Sequence, residues 1–435
     1  MVLLQFIVLI AFILLGARLG GIGIGFAGGA GVLALGLTGA KPGDLPMMVI
    51  VFIMVVIYAA SAMQAAGGVQ YLVDLTERFL RAHPKHLNVL APLVTYVLTL
   101  MASTGQVSFA TMPVIVEVAK ENNLKPTRAL SVGVAGSLLG VIASPISAAV
   151  VFLSTELESR NTGWTYLDLL IVTIPATLLG TLLTAIGFLL WDRARNQGTL
   201  WDEATYQEYL AERGPRKQRI IPRYGRRSVI IFVVSLVVIL AYSILISKEL
   251  GIVPDPPLTG AEARISGMLV AAGAILVACK VTPGDISRSS IFRTGMNACA
   301  SILGVAWLGT TFMVNNQEWI SENLGGVLSA HAWLFAIVVT IASALLYSQA
   351  AATKALFPTA LAVGVSPATV VASFAATSAL FILPTYPTLL AACELDTTGS
   401  TKVGRHMFDH PFLIPGLCTI VISVLIATGL TAIVH

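Results

Sequence analysis

The chain has 435 residues, 56% of them apolar and 11% charged, with a formal net charge of +4. Ordinary soluble domains carry about a quarter charged residues, so most of this chain must lie in lipid, and no polar stretch is large enough for a separate catalytic core. The basic residues sit in loops, which fits membrane topology and excludes nucleic acid as a partner.

The chain opens on an apolar stretch, Val2 to Gly16, with no basic residue ahead of it. It reads as a retained first span rather than a cleaved signal. Apolar runs follow one another near 2–17, 21–39, 46–66, 87–102, 105–119, 130–153 and 166–190. A polar stretch, 191–228, comes next; its Arg216-Lys217-Gln218-Arg219 and Arg226-Arg227 suit anionic headgroups. Further runs lie near 229–247, 263–279, 295–313, 331–347, 350–365, 368–392 and 411–433. The four cysteines, Cys279, Cys299, Cys393 and Cys418, lack C-x-x-C spacing, which argues against a zinc site or a disulfide framework.

The two sets of runs are related. Pro42-Gly43-Asp44 recurs as Pro283-Gly284-Asp285, 241 positions later, and the same offset pairs Pro126 with Pro367, Ser144 with Thr385 and Ser147 with Thr388. This internal duplication divides the chain into a first repeat, 1–190, a linker, 191–228, and a second repeat, 229–435. In each half, two runs of about fifteen residues are too short for a bilayer core of about 30 Å. They meet at Ser103-Thr104-Gly105 and at Ser348-Gln349-Ala350, so each pair reads as a re-entrant hairpin. Five crossings per half then make the repeats inverted. The fold expected is an all-α polytopic membrane protein of two inverted repeats, each with about five spanning helices, a hairpin and a broken helix.

Loop charge supports this count. One side receives every Lys and Arg except Lys41, Arg160, Lys248, Arg264 and Lys354. The positive-inside rule makes that side cytoplasmic, linker included, and places both termini in the periplasm.

After each hairpin comes a helix interrupted by proline, at Ser144-Pro145-Ile146-Ser147 and at Pro384-Thr385-Tyr386-Pro387-Thr388. Proline removes a donor and frees a carbonyl, tolerated at membrane depth only where the backbone lines a cavity or packs in protein. Inverted repeats with discontinuous helices mark secondary transporters, and half-helix N-termini suit a carboxylate. Ser103, Thr104, Gly105, Ser144, Ser147, Ser348, Gln349, Thr353, Lys354, Thr385 and Thr388 are therefore the candidate substrate residues. Quasi-symmetric arms fit a ligand with an anionic group at each end. Lys354, which has no charged counterpart in the first half, could neutralise a carboxylate, pair with Glu394 or Asp396, or snorkel to a surface.

Other patterns carry less. Gly23-Ile24-Gly25-Phe26-Ala27-Gly28 matches G-x-G-x-x-G, but no strand precedes it, and close helix packing explains it. His406 and His410 flank Asp409 without a third placed ligand, so no metal is assigned. No cofactor is implied, and no catalytic set appears for an enzyme.

"GARLGGIGIGFAGG" at 16–29, "MPVIVEVAKENNLKP" at 112–126, "ASPISAAVV" at 143–151, "YSQAAATKAL" at 347–356, "FILPTYPTLLAA" at 381–392 and "HPFLIPG" at 410–416 resemble the anaerobic C4-dicarboxylate transporter (Dcu) family, nearest its DcuA type. The resemblance implies a bacterial inner-membrane antiporter for aspartate, fumarate, malate and succinate, with proton-coupled uptake as a second mode and elevator-type movement. Two departures stand out: relatives often carry Gly-Thr-Gly where this chain has Ser103-Thr104-Gly105, and Lys354 marks the subtype rather than the family. The partners expected are small dicarboxylates and the lipid bilayer, and a homo-oligomer is compatible with the sequence. An anion channel and a membrane dicarboxylate sensor are the competing classes.

Overall fold

The computed structural model describes the chain apart from residues 20–21, 46, 104, 106, 196–198, 213–221, 247–252, 254–255, 332, 347, 384–385, 405–407 and 435. The described residues are almost entirely helical. The first half contains α1 (Val2–Leu19), α2 (Gly23–Leu37), α3 (Met47–Ala65), α4 (Gly68–Ala82), α5 (Leu87–Ala102), α6 (Val107–Glu121), α7 (Pro126–Ala143), α8 (Ala148–Ser159) and α9 (Tyr166–Ala194). A short α10 (Glu203–Glu212) lies in the linker. The second half contains α11 (Gly225–Leu245), α12 (Gly260–Ala278), α13 (Pro283–Arg288), α14 (Ser290–Ala330), α15 (Trp333–Leu346), α16 (Gln349–Ala362), α17 (Pro367–Ala372), a 3-10 segment (Ser373–Phe381), α18 (Pro387–Leu395) and α19 (Leu413–Val434). Among the described residues, Pro84–Ala102, Pro126–Ser159, Tyr166–Ala194 and Leu413–Val434 are long and apolar enough to cross a membrane.

Two elements were not legible as apolar runs. The stretch 67–87, expected as a loop, folds as α4, which buries Val69, Leu72, Val73, Thr76 and Leu80 while Glu77, Arg78 and Arg81 interleave with them. Its apolar residues recur with helical spacing, so the signal is periodicity and not mean apolarity. In the second half the run expected at 295–313 extends into α14, 41 residues long.

The duplicated Pro-Gly-Asp is used in two ways. In the second copy Thr282 and Asp285 form a capping box at the start of α13, worth about 1 kcal/mol. The first copy has Lys41 where Thr282 stands, so it lacks the cap. Helix α14 holds it instead: Asn315 Oδ1 accepts from Lys41 N at 2.9 Å, Thr311 Oγ1 accepts from Gly43 N at 3.0 Å, and Trp307 Nε1 donates to Gly43 O at 2.9 Å.

Packing follows a pattern that is preserved when the halves are exchanged. Helix α1 packs on α2 as α11 packs on α12; α3 packs on α12 as α14 packs on α2. Likewise α5 lies on α7 as α15 lies on the 3-10 segment, and α8 meets α16 as α18 meets α6. One group of helices, α1–α3 with α11–α14, thus packs mainly on itself, while α5–α9 and α15–α19 form a second. Close approach within the second group depends on glycine. A Cβ on Gly140 of α7 would lie 2.6 Å from the Tyr96 carbonyl oxygen of α5, and one on Gly136 would lie 3.2 Å from Pro92 O.

The arms of the first hairpin are short helices, although the first, counted from the turn ahead of it as Pro84–Ala102, is long enough to cross a membrane. Helices α5 and α6 have 16 and 15 residues, or about 24 and 22 Å at 1.5 Å per residue. The outer end of α6 is tied to α4: Arg81 Nη2 lies 3.0 Å from Glu117 Oε2, and Arg81 Nη1 also binds Glu121. Several of the loops expected on the positive side touch one another. Lys120 reaches Thr397 at 3.2 Å, Thr127 reaches Ser400 at 2.8 Å, Tyr206 donates to Glu121 O at 2.6 Å, and Gln64 reaches Ser290 at 2.7 Å.

Candidate binding site

At the first tip, Ser103 closes α5 in a left-handed conformation, φ 53°. Ser108 then starts α6 by donating its hydroxyl to Gly105 O at 2.5 Å. The tip does not face its own repeat's break. A Cβ on Gly105 would lie 4.0 Å from Thr388 Cγ2, at the start of α18 in the second half. Thr388 is buried, and its hydroxyl has no hydrogen-bond partner.

The second tip repeats this exchange. Ser348 caps α16 by accepting from Ala351 N at 3.2 Å, and Gln349 Nε2 donates to Leu138 O of α7 at 2.7 Å and to Ser378 Oγ of the 3-10 segment at 2.9 Å. Ala350 and Ala148 pack against the same apolar cluster, which includes Phe152 and Cys299. The tip therefore sits next to the first break. There Ser144, fully buried, has an unpartnered hydroxyl, while Ser147 caps α8 by accepting from Ala149 N at 3.3 Å. Thr353 is buried too, but its hydroxyl returns to Gln349 O at 2.7 Å, as expected for threonine inside a helix.

Lys354 is 4% exposed, which removes the snorkelling reading. Its Nζ lies 5.3 Å from the centroid of Phe152 and has no hydrogen-bond partner. The pairing with Glu394 or Asp396 is not formed. Glu394 is exposed, and the Asp396 carboxylate accepts from Thr398 Oγ1, Ser400 Oγ and Thr401 N. Thr104 and Thr385, the other two candidates, lie outside the described residues, as does His406.

The breaks are braced from outside. At the first, Tyr166 Oη donates to Pro145 O at 2.5 Å. At the second, His410 Nε2 lies 3.1 Å from Ile382 O, and since a carbonyl only accepts, this contact requires the Nε2–H tautomer. Both donors stand just ahead of or at the start of the last helix of their half. Burial holds the His410 imidazole below its ordinary pKa, against the opposing influence of the Ile382 carbonyl and Asp409.

These contacts set the first tip beside Thr388 of the second half and tie the second tip to α7 and the 3-10 segment, with buried hydroxyls and a buried lysine among the elements they join. Such an arrangement can receive anionic groups through hydroxyls, helix N-termini and a cation. One family model, described as the anaerobic C4-dicarboxylate membrane transporter (DcuA/DcuB), matches residues 1–435. The chain belongs to that family.

Individual relatives agree with the family match. The chain is 49% identical over 428 residues to the C4-dicarboxylate transporter DcuA of Escherichia coli K12, covering 98% of each. It is 45% identical over 429 residues to DcuA of Helicobacter pylori J99, covering 97% of this chain and 96% of the relative. The DcuB protein of Escherichia coli O6:H1 is 34% identical over 439 residues, with 97% and 96% covered. Among solved structures, the Alcanivorax borkumensis YdaH transporter, described as having an unusual topology, aligns with a TM-score of 0.56 at 12% identity, covering 87% of this chain and 84% of that one. That likeness concerns the fold alone.

Within this Dcu family member, three participants escaped sequence reasoning. Ser378 sits in an apolar run with no local pattern to mark it. Tyr166 and His410 act on carbonyls, which no side-chain motif reveals.

Proposed function

We propose that this protein is a secondary carrier of the bacterial inner membrane that exchanges C4-dicarboxylates, including aspartate, fumarate, malate and succinate, by alternating access. The observation that carries the reading is the pair of buried, unpartnered hydroxyls, Ser144 and Thr388, one at each broken helix and each beside the hairpin tip of the other half. A buried hydroxyl left without a partner costs roughly 1–3 kcal/mol. A dianion whose carboxylates accept from these hydroxyls and from the N-termini of α8 and α18 relieves that cost at both ends.

In this reading Ser103, Thr104, Gly105, Thr385 and Thr388 form one half of the site, and Ser144, Ser147, Ser348, Gln349 and Thr353 form the other. Lys354 offsets one carboxylate. The repeats, 1–190 and 229–435, are inverted about the linker 191–228, which is cytoplasmic, and both termini are periplasmic. The separation of α1–α3 and α11–α14 from the helices bearing the tips supports an elevator movement of the second group along the first. No cofactor is required, since opposing gradients supply the driving force.

Counterflow in proteoliposomes with a panel of dicarboxylates tests the proposal. Thr104→Ala, Thr385→Ala, Ser144→Ala and Thr388→Ala are each expected to weaken apparent affinity about three- to tenfold with normal expression. Wild-type affinity in all four would remove the four-arm site.

A further inference from the structure

Arg264 stands in the apolar helix α12, in the helix group that does not carry the tips, yet only 3% of its surface is exposed. Its partners are few. The guanidinium carbon lies 4.6 Å from the ring centroid of Tyr166, and Nη2 lies 3.9 Å from Glu158 Oε2, beyond hydrogen-bond reach. Its Nε is buried without a hydrogen-bond partner. Glu158 uses its other oxygen to accept from Tyr166 N at 3.0 Å, so cation and carboxylate hold the same tyrosine from two directions.

Tyr166 is also the residue whose hydroxyl takes the carbonyl of Pro145 at the first break. A small cavity lies at this junction, lined on one side by Leu236 and Met268 of α11 and α12 and on the other by Pro145 and Ile146. Arg264 and Tyr166 border the same cavity. The seam between the two helix groups thus passes between Arg264 and the break that bears Ser144 and Ser147.

We infer that Arg264 is a positioning residue for the substrate site: it orients Tyr166 from the neighbouring helix group, and Tyr166 in turn fixes the Ser144–Ser147 break. The physical basis is geometric. An arginine stacked on an aromatic face fixes the ring plane, through cation–π attraction and planar contact that lysine reproduces poorly. Fixing the ring aims its hydroxyl at Pro145 O, and that bond sets the direction of the residues on either side. Affinity for substrate then depends on where α12 sits, so the state of one helix group is transmitted to the site carried by the other. This inference rests on the proposed carrier function and adds a specific route to it.

The test is exchange by purified protein in proteoliposomes loaded with succinate, with KM and Vmax measured for labelled external fumarate in wild type, Arg264→Lys, Arg264→Met, Tyr166→Phe and the Arg264→Met/Tyr166→Phe double variant. Tyr166→Phe keeps the ring for Arg264 and removes only the hydroxyl. The expected result is a KM raised about tenfold in both Arg264→Met and Tyr166→Phe, no further rise in the double variant, and an intermediate value in Arg264→Lys. Should Arg264→Met fail to fold, Tyr166→Phe and Arg264→Lys carry the test, since each retains a ring or a charge at the seam. KM within twofold of wild type in the folded variants, with losses confined to Vmax, or effects that multiply in the double variant, overturns the inference. A wild type that does not exchange at all overturns the carrier reading instead.

Discussion

Gln349 and Leu138 stand 211 positions apart, and the amide of the first donates to the carbonyl of the second at 2.7 Å. The bond joins the second hairpin tip to the helix that leads into the first break, so the second half's tip is held in place by the first half. Gln349→Leu removes the shorter of two side-chain donors to that carbonyl, Ser378 Oγ remaining at 3.3 Å. It also takes away the amide that donates to Ser378 Oγ, for a cost of about 1 kcal/mol. The expected outcome is a lower unfolding temperature together with a several-fold weaker dicarboxylate affinity, read by thermal unfolding and by KM in exchange. Gln349→Leu with unchanged values for both shows that the bond matters to neither.

Lys354 predicts the opposite coupling of stability and activity. An ammonium buried without a hydrogen-bond partner costs several kcal/mol even after relaxation, and Phe152 returns only about 0.5–2 kcal/mol through its ring face. Lys354→Met is expected to raise the unfolding temperature while lowering exchange at least tenfold. A variant that is less stable and equally active assigns the lysine to packing.

Gly140 allows α5 and α7 to touch. A Cβ at this position meets the Tyr96 carbonyl, which belongs to backbone and cannot swing aside. Gly140→Ala is therefore expected to cost about 1–3 kcal/mol as an overpacked contact, seen as a lower unfolding temperature, whereas Gly29→Ala, where a Cβ meets nothing within 4 Å, changes little.

His410 gives a pH dependence. Burial holds its folded pKa below the ordinary imidazole value, so the unfolded chain binds the proton more readily. Stability is unaffected by this group above about pH 6.5 and falls as pH drops through that value toward the folded pKa. His410→Gln keeps a donor for Ile382 O without a titrating ring. Thermal unfolding at about pH 7.5 and about pH 5.5 should show a smaller acid loss in His410→Gln than in wild type; equal losses assign the acid sensitivity elsewhere.

Much of this was legible beforehand, and the reasons differ by element. The helix breaks were visible because proline has a backbone consequence wherever it stands, and the hairpins because two short apolar runs meet at a polar turn. Helix α4 was missed because its apolar residues alternate with charge, so a search for apolar runs passed over a periodic signal. Gln349 and Ser144 were found as polar residues in apolar surroundings, but nothing local announces that Gln349 binds α7 of the other half. The braces from Tyr166 and His410 were invisible because their acceptors are main-chain carbonyls. Arg264 was counted by its charge alone, at the edge of the run near 263–279, whereas Thr259 and Glu262 cap α12 ahead of it and put the arginine inside the helix.

The central claim is exchange, and one measurement addresses it directly: uptake of labelled fumarate into proteoliposomes of the purified protein, with and without internal succinate. The account predicts saturable uptake that requires internal succinate and is competed by external aspartate and malate. Uptake that proceeds equally into empty vesicles, or that rises linearly with external fumarate, would contradict it.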